Sequence, residues 1–246
     1  MSTPTTQREP AAAPLPAPAS NDPPATGHRL FSGQELAFII AVPVAWGILL
    51  LFHPVGGDDF YSTIDGNVTA WLTVHIGMGI FIPLFAAVVY LLLRGVNSAA
   101  ATVSRIGLAV FAVVYAAWEL VLGVGTGILT HEANALPKAQ QAVGADLVDS
   151  YGGNTIIAVL SVVGSVGLGV AMIAAAVALR AACRLGWVPL VLMLLALPLI
   201  AVHEPPFGPI GLGVFVVATL LFVRQQASGP AHTPRPLDQP IAAKPA

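Results

Sequence analysis

The sequence predicts an all-α polytopic membrane bundle with six transmembrane helices, and three observations carry that prediction. Of the 246 residues, 56% are apolar and only 9% are charged, where soluble domains carry about 25% charged residues. The mean hydropathy is +0.82. The apolar residues are gathered into long uncharged runs of the length that a hydrocarbon core of ~30 Å requires. This balance excludes a soluble globular enzyme, a nucleic-acid-binding protein and a secreted disulfide scaffold. Cys183 is the single cysteine, so no internal disulfide forms.

Two tails flank the apolar region. The first thirty residues hold seven prolines among Ala, Ser and Thr, with no apolar core of the kind a secretory signal carries. Residues 225–246 hold five more. Such composition buries too little to offset ordering entropy, so residues 1–34 and 225–246 are expected as disordered cytoplasmic tails around a transmembrane domain over 35–224.

Within that domain the spans are expected near Leu36–Phe52, Ala70–Leu93, Ile106–Leu129, Thr155–Leu179, Trp187–Val202 and Phe207–Val223. The middle three are long enough to cross with some tilt. The fifth contains Pro189 and Pro198, which predict a kink or an incomplete crossing. With six crossings and a cytoplasmic N-terminus, nine of the ten Lys and Arg residues fall inside and only Lys138 falls outside. That is the asymmetry of the positive-inside rule, and it puts both termini in the cytoplasm of a plasma-membrane protein. The outer loops instead carry Asp58, Asp59, Asp65, Glu132, Asp146, Asp149 and Glu204.

The outer loop 130–154 is expected to hold a surface helix near 135–150, with Asn134 as its cap and Pro137 in its first turn. Leu136, Val143, Leu147 and Tyr151 recur at helical spacing, so this helix is expected to lie on the outer leaflet or over the bundle. The glycines at 123, 125 and 127 and at 164, 167 and 169 lie inside apolar spans, where small residues let helices approach closely.

Polar residues inside the spans are the functional candidates. Glu119 is the only formally charged residue deep in a span, about 20 Å from the inner end at ~1.5 Å per residue. An ionisable group there costs at least about 2.5 kcal/mol, so it calls for a partner or a cavity. Tyr115, Glu119, Thr126 and Thr130 share one stripe of the third span, at 100° per residue. Trp71, His75, Gly79, Ala86 and Tyr90 share one in the second, and Asn154, Ser161, Ser165 and Gly169 one in the fourth. These stripes predict a polar seam between the second, third and fourth helices, with Glu119 and His75 as an acid and proton-exchange pair. The competing expectation is that Glu119 is neutral, or bonds Tyr115 and serine side chains, as interhelical glue.

A second constellation lies at the outer ends of the spans. His53, His131 and His203 sit there, two of them in the pairs His131-Glu132 and His203-Glu204. Histidine and carboxylate suit zinc, copper or iron, so these five residues form a candidate rim site for a divalent metal. The spacing is not that of two ligands on one helical face, and histidine at a helix end also serves as a cap.

The stretches Gly125-Thr-Gly-Ile-Leu-Thr-His-Glu-Ala-Asn-Ala-Leu-Pro137 and Pro205-Pro-Phe-Gly-Pro-Ile-Gly211, set among Ala-, Gly- and Val-heavy spans with Pro-rich tails, resemble multi-pass membrane proteins of high-GC actinobacteria. The resemblance implies the helical bundle and carries no activity. Three functions fit the residues: a structural or assembly protein of the bilayer; a small proton-coupled permease or sensor using Glu119, with a homo-oligomer supplying further walls; and a membrane-embedded enzyme whose outward His/Glu site acts on a lipid or isoprenoid.

Overall fold

Ser32 and Glu35 open the first helix by exchanging hydrogen bonds: Glu35 N–H donates to Ser32 Oγ, and Ser32 N–H donates to the Glu35 carboxylate. In the computed structural model, which describes residues 30–228, that helix is α1 (Gly33–Leu50). It is followed by the short α2 (Phe60–Ile64) and by α3 (Val68–Leu92), α4 (Ala99–Ala135) and α5 (Lys138–Gly152). The chain ends in α6 (Thr155–Ala181), α7 (Trp187–Val202) and α8 (Phe207–Ser228). Among the described residues the fold is all-helical. The expected disordered tails lie almost wholly outside those residues.

Five helices, α1, α3, α4, α6 and α8, are long and apolar enough to cross a membrane. The expected fifth span, α7, has the predicted bounds but only 16 residues. That is about 24 Å of helix, short of a ~30 Å core. Pro198 sits inside it. Pro43 and Pro83 likewise lie inside α1 and α3, as membrane-spanning helices tolerate.

The third span is far longer than expected. It runs 37 residues, about 55 Å, because Ser98 caps Ala101 N–H at its start and no proline interrupts it before Pro137. Two five-residue stretches of it, Phe111–Tyr115 and Leu120–Val124, are π-helical. They flank the single α-helical turn Ala116–Glu119 on both sides.

Lipid offers no hydrophobic drive for helix association, so close backbone packing and buried hydrogen bonds hold the bundle. α4 and α6 supply both. A Cβ built on Gly107 would stand 2.9 Å from Ala171 N and from Gly167 O, so the two backbones touch there. Ser104 Oγ donates to Ala171 O at 2.8 Å beside that contact. Gly123, Gly125, Gly127, Gly164 and Gly167 all meet a neighbouring element as expected; Gly169 has open space beside it.

The outer-loop helix differs from the expectation in detail. α4 continues to Ala135, so Asn134 caps nothing; its side chain accepts from Tyr61 Oη and donates to Asp65. Pro137 precedes the first turn of α5 instead of lying within it. The buried face of α5 is Gly144 and Val148, while Val143 and Leu147 are exposed. Asp149 accepts from Tyr61 N–H and pins α2 against α5. Val143 and Leu147 of the expected stripe thus face away from the bundle, and Gly144 meets Ala133 of α4.

At the opposite end, arginines tie the short connections together. Arg184 donates to Arg94 O at 2.6 Å, and Arg105 donates to Leu93 O and Val96 O. Arg94 pairs with Glu35, and Gln225 and Gln226 bond Gly186 and Arg184. The bundle therefore has an arginine end and a histidine end.

Candidate functional site

Each residue of the site is placed by a local feature of the chain. Beyond the last turn of α1 the backbone is held by His53 N–H on Leu50 O, which turns the His53 ring inward over α3. His203 closes α7 with a left-handed backbone, φ 47°. Gly208 lies against the His203 carbonyl, so closely that any Cβ there would strike it. The turn through Pro205 and Pro206 thus brings the start of α8 back against His203. His75 and Trp71 are one turn apart on α3 and point the same way.

These residues converge. The His53 ring lies 5.1 Å from that of His75, 5.4 Å from that of His203 and 5.1 Å from Trp71, centre to centre. Trp71 stacks on His75 at 4.2 Å, and Trp118 meets His203 edge-on at 6.0 Å. Glu119 Oε2 stands 3.7 Å from His75 Nε2. Glu119 is 1% exposed, His75 2% and His53 5%; His203 is half-buried.

Hydrogen bonding fixes two of the rings. His75 Nδ1 bonds Trp71 O at 2.8 Å and His53 Nδ1 bonds Pro54 O at 2.7 Å. A carbonyl only accepts, so Nδ1 carries the proton in both, and each Nε2 is left as an acceptor. The buried atoms His53 Nε2, His203 Nδ1 and Glu119 Oε1 have no hydrogen-bond partner. The cluster is rich in acceptors and poor in donors, in a place where unpaired polar atoms are costly.

The π-helical turns explain how Glu119 is presented. A π turn breaks the regular ladder and re-aims the carbonyls around it. In Leu120–Val124 those carbonyls take side-chain donors: Trp71 Nε1 donates to Gly123 O at 2.7 Å, Tyr151 Oη to Val121 O at 2.9 Å and Thr126 Oγ1 to Leu122 O at 2.7 Å. Gly123 also lets the His75 ring lie directly on the α4 backbone, where a Cβ would overlap it. The same irregular stretch therefore seats Trp71, His75 and Glu119 together.

Outside the helical spans, two imidazoles depart from their ordinary range. Burial lowers His53, with the Pro54 hydrogen bond and the Glu204 charge acting the other way. Burial, then the neighbouring rings of His53 and His75, pushes His203 down to about 3.

The structure brings together Glu119, His75, His53 and His203, and leaves the other expected residues apart. His131 and Glu132 are exposed on α4, about 18 Å further along that helix than Glu119. Glu204 is exposed beside the cluster. The five-residue rim set thus does not assemble, and among the described residues no three His, Cys, Asp or Glu side chains are placed to hold one metal ion. The seam expected between the second, third and fourth spans is also redrawn. α3 and α4 contribute as predicted, but α6 faces Tyr115 with Gly164, and Ser161 and Ser165 are only half-buried. The ends of α1 and α7 take that place. Trp118 was not anticipated; its position beside Glu119 in a chain with four tryptophans was the available signal. Compared with protein-family models, curated proteins and solved structures, the chain matches none.

Proposed function

We propose that this chain is a small proton-coupled permease or sensor of the plasma membrane, working through the His75–Glu119 pair. Six crossings with both termini in the cytoplasm place the arginine end inside and the histidine end outside, in keeping with the positive-inside rule. The observation that carries the reading is the 3.7 Å approach of His75 Nε2 to Glu119 Oε2 in a site where both are nearly fully buried. An acid and a base at that distance, shielded from bulk water, share or exchange one proton.

The structural or assembly reading is the competing one. Against its hydrogen-bonded form stands Glu119 Oε1, which is buried and has no hydrogen-bond partner. The two π-helical turns around the carboxylate favour function as well, since such turns concentrate at functional sites.

The test counts protons. Purified protein is titrated with a pH-indicator dye between about pH 4 and pH 10. Wild type is expected to exchange one proton per chain more than Glu119→Gln, with both variants equally folded. Identical titration curves would reject the proposal, and a Glu119→Gln protein that differs in stability alone would return the chain to the structural class.

A further inference from the structure

We propose that His53 and His203 extend the His75–Glu119 pair into a proton relay that opens at the histidine end of the bundle and is closed toward the arginine end. The inference rests on the proton-exchange reading above and adds the route.

Three observations define the route. Successive members are neighbours, with Glu119 on His75, His75 on His53 at 5.1 Å between ring centres, and His53 on His203 at 5.4 Å. Ring centres about 5 Å apart leave room for direct transfer or for one bridging water. Exposure rises along the series, from the 1% of Glu119 to the half-buried His203. Each junction also carries a free acceptor: His75 and His53 have Nδ1 fixed on a carbonyl and Nε2 unbound, and His203 Nδ1 is buried without a partner.

The transfer balances at every step. A proton leaving the Glu119 carboxyl breaks an O–H bond and forms N–H at His75 Nε2, giving a carboxylate and an imidazolium whose Nδ1–H stays on Trp71 O. That Nε2–H then breaks as one forms at His53 Nε2, and the imidazolium charge moves with it. His203 takes the proton next and releases it to water. Inward flow reverses each step.

The surroundings suit a relay. Tyr115 is the ionisable neighbour of Glu119 on its own helix, and α6 meets that helix through Gly164. His53 feels Glu204; His75 feels His53; His203 feels His53 and His75. No Lys or Arg at this end other than the exposed Lys138 is present among the described residues. Toward the arginine end the way is blocked by Met78, Ile82, Phe85, Phe111 and Phe215, all fully buried. Phe85 and Phe215 touch ring to ring at 4.8 Å.

The experiment makes the proton count time-resolved. Protein in phosphatidylcholine–phosphatidylglycerol vesicles receives a stopped-flow pH jump on the outside, and a membrane-impermeant dye follows uptake. His53→Gln and His203→Gln are expected to reach the Glu119-dependent amplitude of wild type at least about tenfold more slowly. Imidazole added outside is expected to restore the rate in His203→Ala. Unchanged rates with the amplitude intact would overturn the relay while sparing the His75–Glu119 pair. An amplitude absent from wild type would overturn the pair itself. A Glu119-dependent signal from dye trapped inside would overturn the closure toward the arginine end. Should His53→Gln fail to fold, the half-buried His203 carries the test alone.

Discussion

His75 lies against the backbone of Gly123, where any side chain on that residue would overlap the imidazole. The ring is pressed between this glycine and Trp71, with Nδ1 tied to the Trp71 carbonyl and Nε2 turned to Glu119. A small residue on α4 and a π-helical turn therefore set the position of an imidazole on α3, and the chemistry of the site depends on that fit.

Gly123→Ala is accordingly expected to destabilise the protein by about 1–3 kcal/mol through overpacking, and to remove the Glu119-dependent proton exchange. Gly169→Ala, which meets nothing within 4 Å, is expected to be neutral or slightly stabilising, because alanine favours a helix by about 0.5–1 kcal/mol over glycine. Thermal unfolding of both variants in detergent checks this, and equal losses would contradict it.

The carbonyls of the second π-helical stretch supply another contrast. Trp71→Phe removes a buried donor from Gly123 O and leaves that carbonyl only the longer 3.2 Å bond from Thr126 Oγ1, at an expected cost of about 1–1.5 kcal/mol. Tyr151→Phe removes the donor to Val121 O on the exposed side, where water replaces it at a cost below about 1 kcal/mol. Denaturant unfolding that ranked Tyr151→Phe as the more damaging change would contradict the assignment.

Acid is expected to act through His53 and His203. Both bind protons less readily in the folded protein than in the unfolded chain, chiefly because they are buried. Their contribution to stability is complete above the ordinary imidazole value of 6.5 and is lost progressively as pH falls toward the folded value, about 3 for His203. Melting temperatures of wild type should therefore drop below about pH 6.5, and the drop should be shallower in His203→Gln. Parallel curves for the two proteins would contradict this.

Much of this arrangement was legible in the sequence because bilayer physics is strict. Apolar runs located all six helices, and those of α3, α6 and α7 to within about two residues at each end. A lone glutamate inside one run marked Glu119, and the stripe of the second span marked His75 as its partner. The rest was hidden for identifiable reasons. Two π-helical stretches leave no composition signal, and they shift the helical phase on which stripe arguments depend. The turns carrying His53 and His203 bend those rings inward, whereas a helix-end histidine in sequence looks the same as His131, which stays on the surface. The burial of Gly144 and Val148 in place of Leu147 was set by partners, α2 and the end of α4, that local spacing does not contain.

The claim on which all of this turns is that Glu119 holds an exchangeable proton in contact with His75. Infrared difference spectroscopy of the carboxyl C=O stretch tests it most directly, with wild type, Glu119→Gln and His75→Gln titrated side by side. The account predicts a carboxyl band in wild type that responds to pH, vanishes in Glu119→Gln and titrates at a different pH in His75→Gln. A band that is absent from wild type, or that titrates identically with and without the imidazole of His75, would contradict it.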